Sequence, residues 1–204
     1  MSVTLIVEDG SIVAGANSYA SLDYASAYHE NIGNFAWAAI PNQASNPPAG
    51  TMTQESLLIQ ATQYMVGVYR LRWTGLRVQP GTIPNPGLGQ SGSVLPGQSL
   101  DWPRIGVILK DTASFFVDQR LSYTVPANIV PDPVQQACCE LALRASTQDL
   151  WPDLDQRTLV EKVGPIQVNY DRFSPQYRRF RQVDLLLNPY LDSTNGLTVK
   201  LNRA

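Results

Sequence analysis

Apolar side chains recur along this chain at helical spacing in three places, and the residues flanking each run set its ends. Tyr19, Leu22, Ala25 and Tyr28 recur every three residues, which places them near one face of a helix reaching about Ile32. Asn17 and Ser18 are suitable caps for its start and Gly33 is a natural stop. Leu57, Leu58, Ala61, Tyr64, Met65 and Val68 form a second stripe. Thr51 or Thr53 caps this helix, Gln54 and Glu55 occupy its first turn, and it ends near Tyr69 or Leu71. In the third run Asp132 is the N-cap, Pro133 takes the first helical position, and Val134, Ala137, Cys138, Leu141, Ala142 and Ala145 follow at core spacing. At about 1.5 Å per residue that helix spans roughly 24 Å.

Period-two patterns are shorter. Thr4 to Val7 reads as a strand broken by Glu8-Asp9-Gly10, and Ile105 to Leu109 as a second short strand. Val160 to Tyr170 reads as a hairpin that turns at Gly164-Pro165. Pro41 to Gly50 is a connecting loop by its turn residues, and Thr112 to Tyr123 is ambiguous. Between Val78 and Ser99 lie five Gly and four Pro in 22 residues, a composition that predicts a mobile or partner-ordered loop. Beyond Asp171 an arginine-rich segment leads into an apolar piece, Val183 to Leu191, and a polar end.

With 204 residues, 44% of them hydrophobic and 16% charged, the chain can bury one core of ordinary size. Its net charge of −2 gives no general attraction to a phosphate backbone, so any nucleic-acid role must rest on a local patch. No apolar run approaches a membrane span, and Met1 to Gly10 lacks the pattern of a signal peptide. A cytoplasmic site of synthesis is expected. Cys138 and Cys139 are adjacent and cannot staple distant segments, so they read as reduced and at least partly buried.

Catalytic chemistry finds little footing. A G-x-G-x-x-G match at Gly87, Gly89 and Gly92 is preceded by Pro84 and Pro86, where a nucleotide-binding fold needs a strand, and followed by Ser93-Val94-Leu95-Pro96, where it needs a helix. His29 is the only histidine and reads as a partly exposed helix residue. The five Glu and twelve Asp show no ligand-like or acid–base spacing. We therefore expect no enzyme, no metal and no cofactor. Trp102-Pro103 could offer a platform for bases, and we favour a rigid anchor that packs a loop onto helices. Arg172, Arg178, Arg179 and Arg181, with Phe173, Tyr177 and Phe180 interleaved, could meet phosphates; we favour a protein interface, where aromatics and Arg are enriched.

Several blocks carry a resemblance in their order and wording. They are Val7-Glu8-Asp9-Gly10 with Ala16-Asn17-Ser18-Tyr19; Ala61-Thr62-Gln63-Tyr64 leading to Tyr69-Arg70 and Trp73; Leu100-Asp101-Trp102-Pro103-Arg104-Ile105-Gly106-Val107; Pro131 to Arg144; and Lys162 to Ile166 with Tyr170. Together they resemble the head-tail connector, or adaptor, proteins of tailed bacteriophages, some of which carry the description DnaT-like single-stranded DNA-binding protein. The resemblance implies a mainly α fold, a small helical bundle with a minor β-hairpin. Added to it here are the long Pro/Gly-rich loop and an extended C-terminal tail. It also implies a structural virion protein of the phage neck, assembled in the host cytoplasm. Such proteins form a ring, usually of twelve copies, that joins the portal to the tail or a further neck protein and lets genomic DNA pass through its lumen. The alternative is a single-stranded DNA-binding replication accessory protein.

On this reading residues 1–170 are a helical adaptor domain with the flexible loop 78–99, and residues 171–204 a C-terminal docking extension. Arg172, Arg178, Arg179, Arg181, Leu185, Leu186, Leu187, Tyr190 and Leu191 would then face the portal or another partner, with Trp102 and Pro103 as the structural anchor.

Overall fold

The computed structural model describes residues 4–78, 98–109, 124–153 and 179–192, and the backbone of 160–163 and 166–169. The loop expected at 78–99 and the glycine match within it fall almost wholly outside these residues. So do all of the ambiguous segment 112–123, the turn at 164–165, and Arg172 and Arg178.

Helices α1 (Leu22–Asn31), α2 (Gln54–Tyr69), α3 (Asp132–Ala145) and α4 (Arg181–Leu187) form the body. Strands β1 (Leu76–Arg77) and β2 (Arg104–Ile105) make one small antiparallel ribbon, and β3 (Val160–Val163) and β4 (Ile166–Asn169) another. The fold is mainly α with a minor hairpin. No described helix is long and apolar enough to cross a membrane.

Local chemistry explains each helix start. Thr53 Oγ1 accepts the Ser56 N–H at 3.4 Å and Ser56 Oγ accepts the Thr53 N–H at 3.0 Å, a reciprocal capping box that fixes the start of α2. Helix α1 begins later than Asn17 and Ser18 suggest, with Ser21 Oγ accepting the Tyr24 N–H as its cap. Those two residues hold the segment before it. Asn17 Oδ1 accepts the Ile6 N–H, its amide donates to the Thr4 carbonyl, and the Ser18 carbonyl accepts the Glu8 N–H. Tyr19 consequently leaves the helix face and enters the core, 1% exposed. Helix α3 takes Asp132 as its first residue and Pro131 as a cap without a side-chain bond, one position before the expected start.

No strand forms at Thr4 to Val7, where Val7 makes a single bridge to Ser18. Glu8 turns the chain away. Its buried carboxylate accepts the N–H groups of Gly10, Ile12 and Val13 at 2.9–3.0 Å, holding Ile12 at the costly φ of 63°. Gly10 sits at φ 104°, and a Cβ there would run into the Asn128 carbonyl. The Val7-Glu8-Asp9-Gly10 block is thus a folding device.

Helix α3 occupies the centre, packed on α1, α2 and α4. Leu57, Leu58, Ala61 and Met65 of α2 meet a face of α3 that carries Val134, Ala137, Cys138, Leu141 and Ala142, all of them fully buried. Both cysteines are free and buried.

The segment expected to be a docking extension is part of this body over residues 179–192. Helix α4 lays Val183 and Leu187 into the core, and the short 3-10 turn Asn188–Tyr190 brings the chain back to the exit of α2. There the Tyr190 carbonyl accepts the Thr74 N–H at 2.9 Å, Leu191 pairs with Trp73, and the Asp192 N–H donates to the Arg72 carbonyl at 2.6 Å. Leu187, Tyr190 and Leu191 are therefore core residues, withdrawn from any partner-facing surface. Arg179, Arg181 and Leu185 are exposed, and Leu186 is half-buried.

Truncation after Asn188, which would spare a free tail, is expected to unfold part of this body. Leu191→Ala alone should cost about 2–5 kcal/mol, as for other buried leucines. Urea denaturation followed by circular dichroism checks both; a truncated chain with an unchanged midpoint would contradict this placement.

Candidate functional site

Polar groups converge most densely where α2 ends. The chain leaves α2 through Arg70, Leu71 and Arg72, passes Trp73 and enters β1, and the Leu100 to Val107 segment returns alongside as β2. Arg104 ties the two together. Its guanidinium donates to the carbonyls of Thr74 at 2.8 Å, Gly75 at 2.7 Å and Asp101 at 3.2 Å. Gly75, at φ 68°, admits the close approach of the β2 chain, because a Cβ there would meet the Ile105 carbonyl. Gln98 adds a bond to the Pro103 carbonyl, and Arg77 donates to the Gln98 carbonyl.

Asp101 lies inside this frame, 1% exposed, its backbone N–H donating to the Tyr19 hydroxyl at 3.0 Å. Its carboxylate is 3.5 Å from Arg70 Nε and near the Trp73 indole N–H. Burial pushes the carboxyl above the ordinary range, and the nearby charges of Arg70, Arg77 and Arg104 pull it back. Burial likewise lowers the Arg104 guanidinium and raises the Tyr19 phenol. Three guanidinium groups around one carboxylate leave the corner with excess positive charge. The Arg77 Nε and Gln98 Oε1 atoms are buried without partners. Native proteins leave few such atoms unsatisfied.

Beneath the arginines is an aromatic stack. Trp73 meets Trp102 edge-on with centroids 5.6 Å apart, and Trp102 meets Tyr190 edge-on at 5.7 Å. Trp102 is fully buried, as is Pro103, so neither presents a face to a base. Above it Leu71, Leu76 and Ile105 are exposed, at 86%, 75% and 52%; Leu76 and Ile105 are direct cross-strand partners.

A second polar group surrounds His29, which is 1% exposed, contrary to the partly exposed position expected of it. The helix packs it inward, where Nε2 lies 3.2 Å from the Cys139 carbonyl and the ring lies 5.1 Å from that of Trp37. Burial lowers its pKa. Nearby, Glu140 accepts the Tyr28 hydroxyl and pairs with Arg144, which also reaches Gln182. Glu140, Arg144 and Gln182 wall an open cleft of about 640 Å³ between the ends of α1 and α3. Burial raises both cysteine thiols, which keeps them protonated and poor nucleophiles. No group of three His, Cys, Asp or Glu able to hold a metal occurs among the described residues.

Of the arginines singled out in the sequence, only Arg179 and Arg181 are described, both exposed near the start of α4. The corner at Arg70, Arg77 and Arg104 was missed. Its signal lay in three arginines within eight residues, Arg70 to Arg77, at a helix exit, with Arg104 in the block that pairs back to them.

A family model for DnaT-like ssDNA binding proteins matches residues 3–83 and 90–204. The chain belongs to this family. The match takes in α1 to α4 and both ribbons, so the arginine corner lies within the family's shared body. No curated protein and no solved structure matches the chain.

His29 and Asp101 make opposite pH predictions. His29 has a folded-state pKa below 6.5, so its stabilisation is intact above that value and is lost as pH falls through it. Melting temperature should drop between pH 7.5 and 5.5, and less so in His29→Gln. Asp101 has a folded-state pKa above 3.8, so its ionised form destabilises the fold at neutral pH. Asp101→Asn should melt at or above the wild-type temperature at pH 7; a clear decrease would show that the carboxylate is a net stabiliser.

Proposed function

We propose that this protein binds single-stranded DNA without catalysing a reaction on it. Membership of the DnaT-like ssDNA binding family is the observation that carries this reading. The physical character of the body supports a particular kind of binding. With a net charge of −2, attraction to a strand has to be local, and an arginine corner supplies it. The aromatic side chains beneath that corner are spent on packing, which argues for contact with the backbone over stacking on bases. Such binding is sequence-tolerant and sensitive to salt.

Fluorescence anisotropy with a labelled oligothymidylate tests this. Binding should be measurable at low salt and weaken as salt rises, with a logarithmic slope of about −0.7 for each phosphate contacted. A single strand should be preferred to a duplex of equal length. Absence of binding at low salt, or equal affinity for duplex, would remove the reading.

A second reading is favoured by a different observation. Ile32 and Phe35, on the turn after α1, are 50% and 74% exposed, and Leu185 on α4 is 64% exposed. Exposed apolar side chains of this size suit protein contacts. They support a structural protein of a tailed-phage neck, a ring joining portal to tail or a further neck protein, with DNA passing through without being held. Mixing the chain with portal-containing heads distinguishes the two roles. Ring formation on the portal with negligible strand affinity supports the neck; a protomer that ignores the portal excludes it.

A further inference from the structure

We propose that a single strand of DNA crosses the corner between the α2 exit and the β1–β2 ribbon, with its phosphates on Arg70 and Arg77. This rests on the reading of the chain as a single-stranded DNA binder and adds where on the molecule the strand lies. The arginines in this corner have distinct duties. Arg104 is buried and committed to three carbonyls, so it holds the ribbon and contributes charge from below. Arg70 is at the rim, its side chain 49% exposed, and pairs with Asp101 through Nε, which leaves its terminal nitrogens for a phosphate. Arg77 is half-buried and donates one bond to the Gln98 carbonyl; its Nε is enclosed, so a phosphate would meet the part of the side chain that remains exposed.

Charge on the other side sets the direction of the strand. Arg72 turns away from the ribbon, its guanidinium 5.3 Å above the Tyr69 ring, whose hydroxyl donates to Asp184 at 2.7 Å. Asp192 joins the backbone of Arg72 on that flank. Carboxylates there repel a phosphate chain, whereas along the ribbon the described acid is Asp101, enclosed by arginines. Exposed Leu71, Leu76 and Ile105 lie beside the path and give sugars and bases an apolar contact that does not distinguish sequence.

Asp101 is the built-in counterweight of this surface. It offsets part of the arginine charge from a buried position. Removing its charge while keeping its shape strengthens the attraction for a phosphate, an effect that a purely structural residue would not produce.

The test uses the full chain and a fluorescent oligothymidylate, with circular dichroism confirming the fold of every variant. Wild type is measured first, since failure to bind overturns the family-based reading and this placement with it. Given binding, Arg70→Gln with Arg77→Gln should weaken it about tenfold and flatten the salt slope by about 1.4, two contacts' worth. Arg70→Gln alone, at the rim, should give about half that loss in slope should the double variant fold poorly. Asp101→Asn should tighten binding several-fold. Arg179→Gln with Arg181→Gln, the exposed pair near α4, should change it less than about twofold. Wild-type affinity in the Arg70 and Arg77 variants, weaker binding by folded Asp101→Asn, or loss of binding in the Arg179 and Arg181 variant would each overturn the proposal while leaving the DNA-binding reading intact.

Discussion

The edge-on stacking of Trp102 between Trp73 and Tyr190 joins three stretches of chain that are otherwise far apart: the exit of α2, the segment before β2, and the end of α4. Each ring buries a large apolar area, and pairs of this geometry add about 0.5–1.5 kcal/mol beyond burial. Around the stack the backbone is knitted by Arg104 to Thr74 and Gly75, and by Thr74 to Tyr190. The ribbon of two-residue strands is too short to stand alone. It persists because the aromatic stack holds both of its ends.

That constraint also determines what the surface can offer. Once Trp73, Trp102 and Tyr190 are used as mortar, the face they might have shown to a base is gone, and what remains outside is a rim of guanidinium groups and aliphatic side chains. Burying Asp101 among the arginines limits their net charge. The corner therefore carries a moderate excess of positive charge within a chain whose overall charge is negative. His29 and the two cysteines illustrate the reverse case, reactive residue types turned inward and held by burial in their uncharged forms.

Much of the helical frame was legible in the linear order of residues. The stripe from Leu57 to Val68 and the run from Val134 to Ala145 specify amphipathic helices by their spacing alone, and Thr53 and Pro133 mark their starts, because helix periodicity and capping act over a few neighbouring residues. The hairpin at Val160 to Asn169 was legible for the same reason, its alternation and Gly164-Pro165 being adjacent signals. The blocks of the Leu100 to Val107 type carried the family as wording, with no indication of what each residue does.

Tertiary structure alone decided the rest, since it depends on which distant segments meet. Asn17 and Ser18 look like helix caps until Ile6 and Glu8 claim their hydrogen bonds, so the helix waits for Ser21. Leu187, Tyr190 and Leu191 look like a docking tail until α4 folds onto α3 and returns them to Trp73. Arg70 and Arg77 lie close in order while Arg104 is distant, and only the pairing of β1 with β2 sets all three around Asp101. Local propensity fixes where helices form; long-range burial and hydrogen-bond satisfaction choose their partners, and with them the surface left to meet another molecule.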